Sequence, residues 1–151
     1  MNLQDALCIR PGVTSVIGSG GKSTLLARLA EELRAKGATV ALATTTHFMP
    51  FEDVATVTGH DVDEVRAALA AGGVACVAAP AEGPAGAAGK LGPGALAPAE
   101  LARLADYVLV EADGSRRPAP QGARRMGARG TGRLHTVRAG SWGERLWPTG
   151  A

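Results

Sequence analysis

The stretch Gly18-Ser19-Gly20-Gly21-Lys22-Ser23-Thr24 has the composition of a phosphate grip. A triphosphate needs many hydrogen-bond donors at short range, and backbone N–H groups supply them where glycines let the chain curl. A helix beginning at the end of such a loop adds its positive N-terminal pole. On this reading Gly18, Ser19, Gly20, Gly21 and Thr24 build the cradle. Lys22 reaches the β- and γ-phosphates of ATP or GTP, and the Ser23 hydroxyl ligates Mg²⁺. The spacing departs from the standard G-x-x-x-x-G-K-S/T, because the position that would carry the first glycine holds Val16. The loop is the shorter G-x-x-G-K-S, starting at Gly18, a form that also serves ATP-dependent ligases of the Mur type. A flexible glycine turn with an incidental lysine is the competing reading. A strand pattern before the loop and a helix pattern after it weigh against that.

Two further groups point to the same chemistry. Val108-Leu109-Val110 runs into Glu111-Ala112-Asp113-Gly114-Ser115. An apolar strand ending in carboxylates puts negative charge at the C-terminal edge of a sheet, where ligands bind in α/β proteins. Glu111 and Asp113 share a face if the strand continues, so one would hold Mg²⁺ and the other orient an attacking group. Thr44-Thr45-Thr46-His47 ends another strand. Thr45 and Thr46 offer hydroxyls to a metal or phosphate, and His47 is a candidate acid, base or ligand. An ordinary strand-end threonine cluster and a surface histidine are the alternatives.

The elements that must position these groups can be read from apolar spacing. Val13 to Ile17 is a short buried strand. Ser23 to Lys36 is a helix, with Leu25, Leu26, Leu29 and Leu33 on one face and Gly37 closing it. Thr39 to Thr44 is a second strand, completing a βαβ unit. The pattern repeats with a strand at 54–57 and a helix from Asp61, its N-cap, to Ala71 with Gly72 at its end. A strand at 74–79, a helix at 98–104 and a strand at 107–110 follow. Residues 80–96, crowded with Pro, Gly and Ala, are expected to be a mobile loop. Strands alternating with helices predict an α/β fold, a parallel sheet with flanking helices.

Composition narrows the class further. The chain has 151 residues, enough for one domain, with 46% hydrophobic and 3% aromatic residues, so the core must be built from Ala, Val and Leu. It holds no apolar run long enough for a membrane span and no secretory pattern at its start. Cys8 and Cys76 form no metal-ligand pattern and suit a reducing cytoplasm. The net charge of +2 is unevenly spread: Pro118 onward carries six arginines against Glu144, while acidic residues outnumber basic ones before it. Residues 1–117 therefore form the expected nucleotide-binding domain, and 118–151 an Arg/Gly-rich tail with no strand or helix pattern. That tail has Trp142 and Trp147 but no interleaved aromatics or fold signature, which argues against nucleic-acid binding.

Taken together, the phosphate loop, Thr44-Thr45-Thr46-His47, Lys90-Leu91 and Val110-Glu111-Ala112-Asp113-Gly114-Ser115 resemble the YqeC family of bacterial accessory proteins for selenium-dependent hydroxylases. The resemblance runs from about residue 3 to Arg117. The Glu-Ala-Asp-Gly-Ser string with the short loop is its specific part. It implies a role in maturing selenium-dependent molybdenum hydroxylases by acting on the molybdenum cofactor with NTP and Mg²⁺. The partners would then be the triphosphate and the molybdenum cofactor or an apo-hydroxylase. It leaves open hydrolysis, phosphoryl transfer, nucleotidyl transfer and a non-catalytic, nucleotide-gated delivery or docking module. After Arg117 the likeness stops and the composition switches abruptly. An out-of-frame tail, and with it a C-terminally incomplete and non-functional fragment, is the expectation this raises.

Overall fold

The computed structural model describes residues 2–112 and the strand His135–Arg138. Alternation of side chains across a strand determines how this chain can fold. Val40, Leu42, Val74, Cys76, Tyr107 and Leu109 pack on one face of a sheet. Their neighbours Ala41, Ala43, Ala75, Val77, Val108 and Val110 pack on the other. Strands buried on both faces need helices on both faces, and the chain supplies them.

The elements run α1 (Leu3–Ala6), β1 (Gly12–Ile17), α2 (Lys22–Ala35), β2 (Val40–Thr44), β3 (Ala55–Val57), α3 (Val62–Gly72), β4 (Val74–Pro80), α4 (Gly83–Ala87), β5 (Leu91–Pro93), α5 (Pro98–Leu101), β6 (Tyr107–Glu111) and β7 (His135–Arg138). The sheet order is β3-β4-β2-β6-β1-β7, with β5 paired antiparallel to β4 and every other pairing parallel. The predicted α/β class with flanking helices therefore holds. Helix α2 buries Leu26, Leu29, Ala30 and Leu33 against one face. Val65 and Leu69 of α3 and Leu101 of α5 cover the opposite face. Asp61 caps α3 as expected, its carboxylate accepting from Asp63 N–H at 2.8 Å. The left-handed terminator is Gly73 (φ +74°) rather than Gly72, which is the last helical residue.

Two expectations need correction. The 80–96 segment is not a plain loop, because it contains α4 and β5. Gly86 is what lets α4 fold back there: a Cβ at that position would collide with the Ala81 carbonyl. The tail, read as patternless, contributes β7, which pairs parallel with β1 from Thr14↔His135 to Ile17↔Arg138. His-Thr-Val-Arg has one apolar residue in four, so its strand character comes from the neighbouring edge of β1 and not from any period in its own sequence. Among the described residues no helix is long and apolar enough to cross a membrane.

Candidate functional site

The crossover from β1 through α2 to β2 passes over β6, which is inserted between those two strands. This brings three strand ends together at the C-terminal edge of the sheet. Glu111, the last residue of β6, is in register with Val16 on one side and Thr44 on the other. The loop after β1 therefore meets the carboxylate at the sheet's centre.

Gly18, Gly20 and Gly21 have φ of +129°, +86° and +71°. Gly21 is the left-handed N-cap of α2, with no side-chain cap bond. A Cβ built on Gly20 or Gly21 would meet nothing within 4 Å, so backbone conformation, not crowding, is what calls for glycine there. Ser19, Gly20, Gly21 and Thr24 are exposed, and Lys22 and Ser23 half-buried. Lys22 and Ser23 open the first turn of α2 and both turn onto Glu111. The Ser23 hydroxyl donates to Oε2 at 2.8 Å, and Lys22 Nζ stands 3.7 Å from Oε1. Glu111 is only 6% exposed, and a buried carboxylate needs such partners.

The backbone of Glu111 is held as firmly as its side chain. Its carbonyl accepts from Thr45 N–H at 3.0 Å and from the Thr44 hydroxyl at 3.2 Å. The Thr44 hydroxyl in turn accepts from Thr46 N–H at 3.0 Å. The threonine cluster thus divides in a way that its sequence did not reveal. Thr44, buried and in register with Glu111, is the positioning residue, while Thr45 is exposed and Thr46 half-buried beside it. The cross-strand register is the signal that would have singled out Thr44, and it is invisible in one strand alone.

His47 is exposed and lies outside this hydrogen-bonded knot, with its ring alongside Gly92: a Cβ there would sit 3.6 Å from His47 Cδ2. Asp113, the other carboxylate expected here, lies outside the described residues. Among the described residues no three His, Cys, Asp or Glu side chains gather as a metal site. What is present is an alcohol and a carboxylate in contact, two hard oxygen donors of the kind Mg²⁺ takes beside phosphates and waters. A groove of about 880 Å³ opens at Ser23 and Thr24 and follows α2 to Arg34, with Phe51 and Asp53 on its far wall.

A sequence model described as YqeC protein matches residues 14–120. The chain belongs to the YqeC family. A protein of Escherichia coli (strain K12) with the name "Uncharacterized protein YqeC" is 60% identical over 42 residues. That stretch is 27% of this chain and 16% of the relative's length, so the YqeC likeness to that protein is local. No solved structure matches the chain. The YqeC match takes in the loop, the threonine cluster and Glu111, which the fold gathers at one sheet edge, and it takes in Asp113 as well.

Proposed function

We propose that this YqeC-family chain binds a nucleoside triphosphate with Mg²⁺ at the loop between β1 and α2. The observation that carries the reading is the convergence of Lys22 Nζ and Ser23 Oγ on Glu111, directly after two left-handed glycines. Left-handed residues in a turn can line up backbone N–H groups as an anion-binding nest, and α2, 14 residues long, begins at the same place. Glu111 holds Lys22 and Ser23 together at the end of the loop. With a triphosphate bound, Lys22 would pair with the β- and γ-phosphates. Ser23 and Glu111 are the described residues that would hold Mg²⁺, with Asp113 the further candidate from the sequence. The metal supplies neutralisation of phosphate charge.

In the context that the family resemblance implies, the second substrate is the molybdenum cofactor, or an apo-hydroxylase that receives it. A hydrolase or transferase and a non-catalytic, nucleotide-gated module would both use this arrangement of Lys22, Ser23 and Glu111. Turnover of bound nucleotide on adding cofactor or apo-hydroxylase separates the two.

The test is calorimetric titration of the full chain with ATP and GTP in Mg²⁺, beside Lys22→Ala. Saturable binding in the parent, weakened about 100-fold or more in the variant, is expected for loss of a charged phosphate contact in a partly buried site. Equal affinity in a folded Lys22→Ala protein would remove the central claim.

A further inference from the structure

Beyond the phosphate loop, the sheet edge carries a second basic feature that the sequence order conceals. After Thr44 the chain does not leave the sheet. It runs on to Phe48, which exchanges both backbone hydrogen bonds with Leu91 at the start of β5, at 3.0 and 2.8 Å. This antiparallel bridge places His47 opposite Gly92 and Met49 opposite Lys90. Phe48 is 3% exposed, and Leu91 packs against the same core. Alternation then puts residues 47, 90 and 92 on the side of the ribbon away from Phe48 and Leu91, with Gly92 buried beside the His47 ring. His47 and Lys90 are both exposed. They are diagonal neighbours in the ribbon, a relation that spaces side chains by roughly 7–8 Å at the backbone and leaves long ones able to converge. Gly92, opposite His47, puts no side chain between them.

The ribbon is tied to the phosphate loop by the bonds already described. Glu111, which engages Lys22 and Ser23 through its carboxylate, holds Thr45 N–H with its carbonyl. His47 is two residues further on, at most ~7 Å along the backbone. Lys90, 43 positions from His47 in the sequence, reaches that neighbourhood only through the turn made by α4 and the return of β5 along β4.

We propose that His47 and Lys90 form a ledge that binds an anionic group, phosphate or carboxylate, of the second substrate. For its place in a reaction the ledge rests on the nucleotide reading of the loop, but its anion binding is separable from it. A cation and an imidazole on one side of the ribbon, diagonal to each other with no side chain between them, suit a tetrahedral or planar oxyanion. Neither side chain has a recorded ion-pair partner among the described residues.

The probe is inorganic phosphate, titrated at constant ionic strength into the ¹⁵N-labelled full chain and followed by NMR. The readouts are the His47 ring and the Gly20 and Gly21 amides, with His60 as the internal control. Two independent saturable responses are expected. Lys22→Ala removes the loop response and leaves the His47 response. Lys90→Ala weakens the His47 response about fivefold or more and leaves the loop response, and Lys90→Arg restores most of it, as loss and return of one charged contact require. A His47 ring that does not respond overturns the ledge. So does a response unchanged in Lys90→Ala, one that vanishes with Lys22→Ala, or one confined to the groove arginines Arg28 and Arg34. A silent loop beside a responding, Lys90-dependent His47 supports the ledge and counts against the nucleotide reading alone.

Discussion

Replacing Glu111 by Gln should change nucleotide affinity in opposite directions with and without Mg²⁺. Without the metal, an incoming triphosphate meets a carboxylate that already holds Lys22 at 3.7 Å. At that separation a charge pair is worth about 4 kcal/mol at an effective dielectric of about 20. The Lys22 side chain is 17% exposed and that of Glu111 8%, so screening is modest, yet solvation regained on separation offsets part of this. A net penalty of roughly 1–3 kcal/mol remains, or about 5- to 150-fold in affinity. Gln keeps a carbonyl oxygen to accept from Ser23 but loses the charge. Metal-free ATP should therefore bind Glu111→Gln more tightly than the parent by a factor within that range. With Mg²⁺ the order reverses, because an anionic oxygen donor has become a neutral amide, a poorer partner for a hard cation. Calorimetry with ATP in excess EDTA and in excess Mg²⁺, on both proteins, measures the four constants. Thermal melting checks that both are folded. Weakening of Glu111→Gln by the same factor in both buffers would refute the reasoning, since it would mean that Glu111 acts only by holding the fold.

Two other perturbations probe the supports. Thr44→Val deletes the hydroxyl that joins Glu111 carbonyl to Thr46 N–H, leaving that N–H without its partner; a loss of about 1–3 kcal/mol in urea unfolding is expected, against little change for the exposed Thr45→Val, and equal losses would deny Thr44 its positioning role. Burial of Cys76 pushes its thiol up from 9.0 to about 11, against a smaller opposing effect of the Thr56 hydrogen bond. At pH 8 roughly 0.1% of it is then thiolate, so iodoacetamide should label only exposed Cys8 in the native protein and both cysteines in denaturant. Because the folded thiol holds its proton to higher pH than the unfolded one, its contribution to stability is complete below about pH 9 and is lost as pH rises through about 11. Native labelling of Cys76 at pH 8 at the rate of Cys8 would contradict that burial.

How far the sequence could be read depended on whether the information was local. Strand β1, helix α2 and the Asp61 cap of α3 are all local patterns, and their positions followed from Val13 to Ile17, from the leucines of 25–33 and from one N-cap residue. The loop of the proposed phosphate grip could be picked out for the same reason, since its glycines, lysine and serine are consecutive. What could not be read was pairing. Leu91-Gly92-Pro93 looks like loop because Gly and Pro are poor strand formers, and it becomes β5 only because Pro80 to Ala78 and Phe48 offer partners. His135 to Arg138 likewise acquires its strand from β1. The role of Thr44 rather than Thr45 or Thr46 was hidden for the same cause, because it depends on standing beside Glu111 of a strand 67 residues away.

That dependence on pairing also explains why the site's residues behave as one unit. Glu111 belongs to β6, which is flanked by β1 and β2, so any shift of β6 by one residue would turn its carboxylate to the opposite face. The same slip would withdraw the acceptor from Ser23 and Lys22 and the carbonyl from Thr44 and Thr45. Loop, central strand and threonine cluster are therefore set by one register. The His47 and Lys90 ledge stands on a second, the Phe48↔Leu91 bridge, which is linked to the first only through the short backbone from Thr45 to His47. The two should accordingly separate under mutation: substitutions at Thr44 or Glu111 disturb both, whereas substitutions at Lys90 disturb the ledge alone.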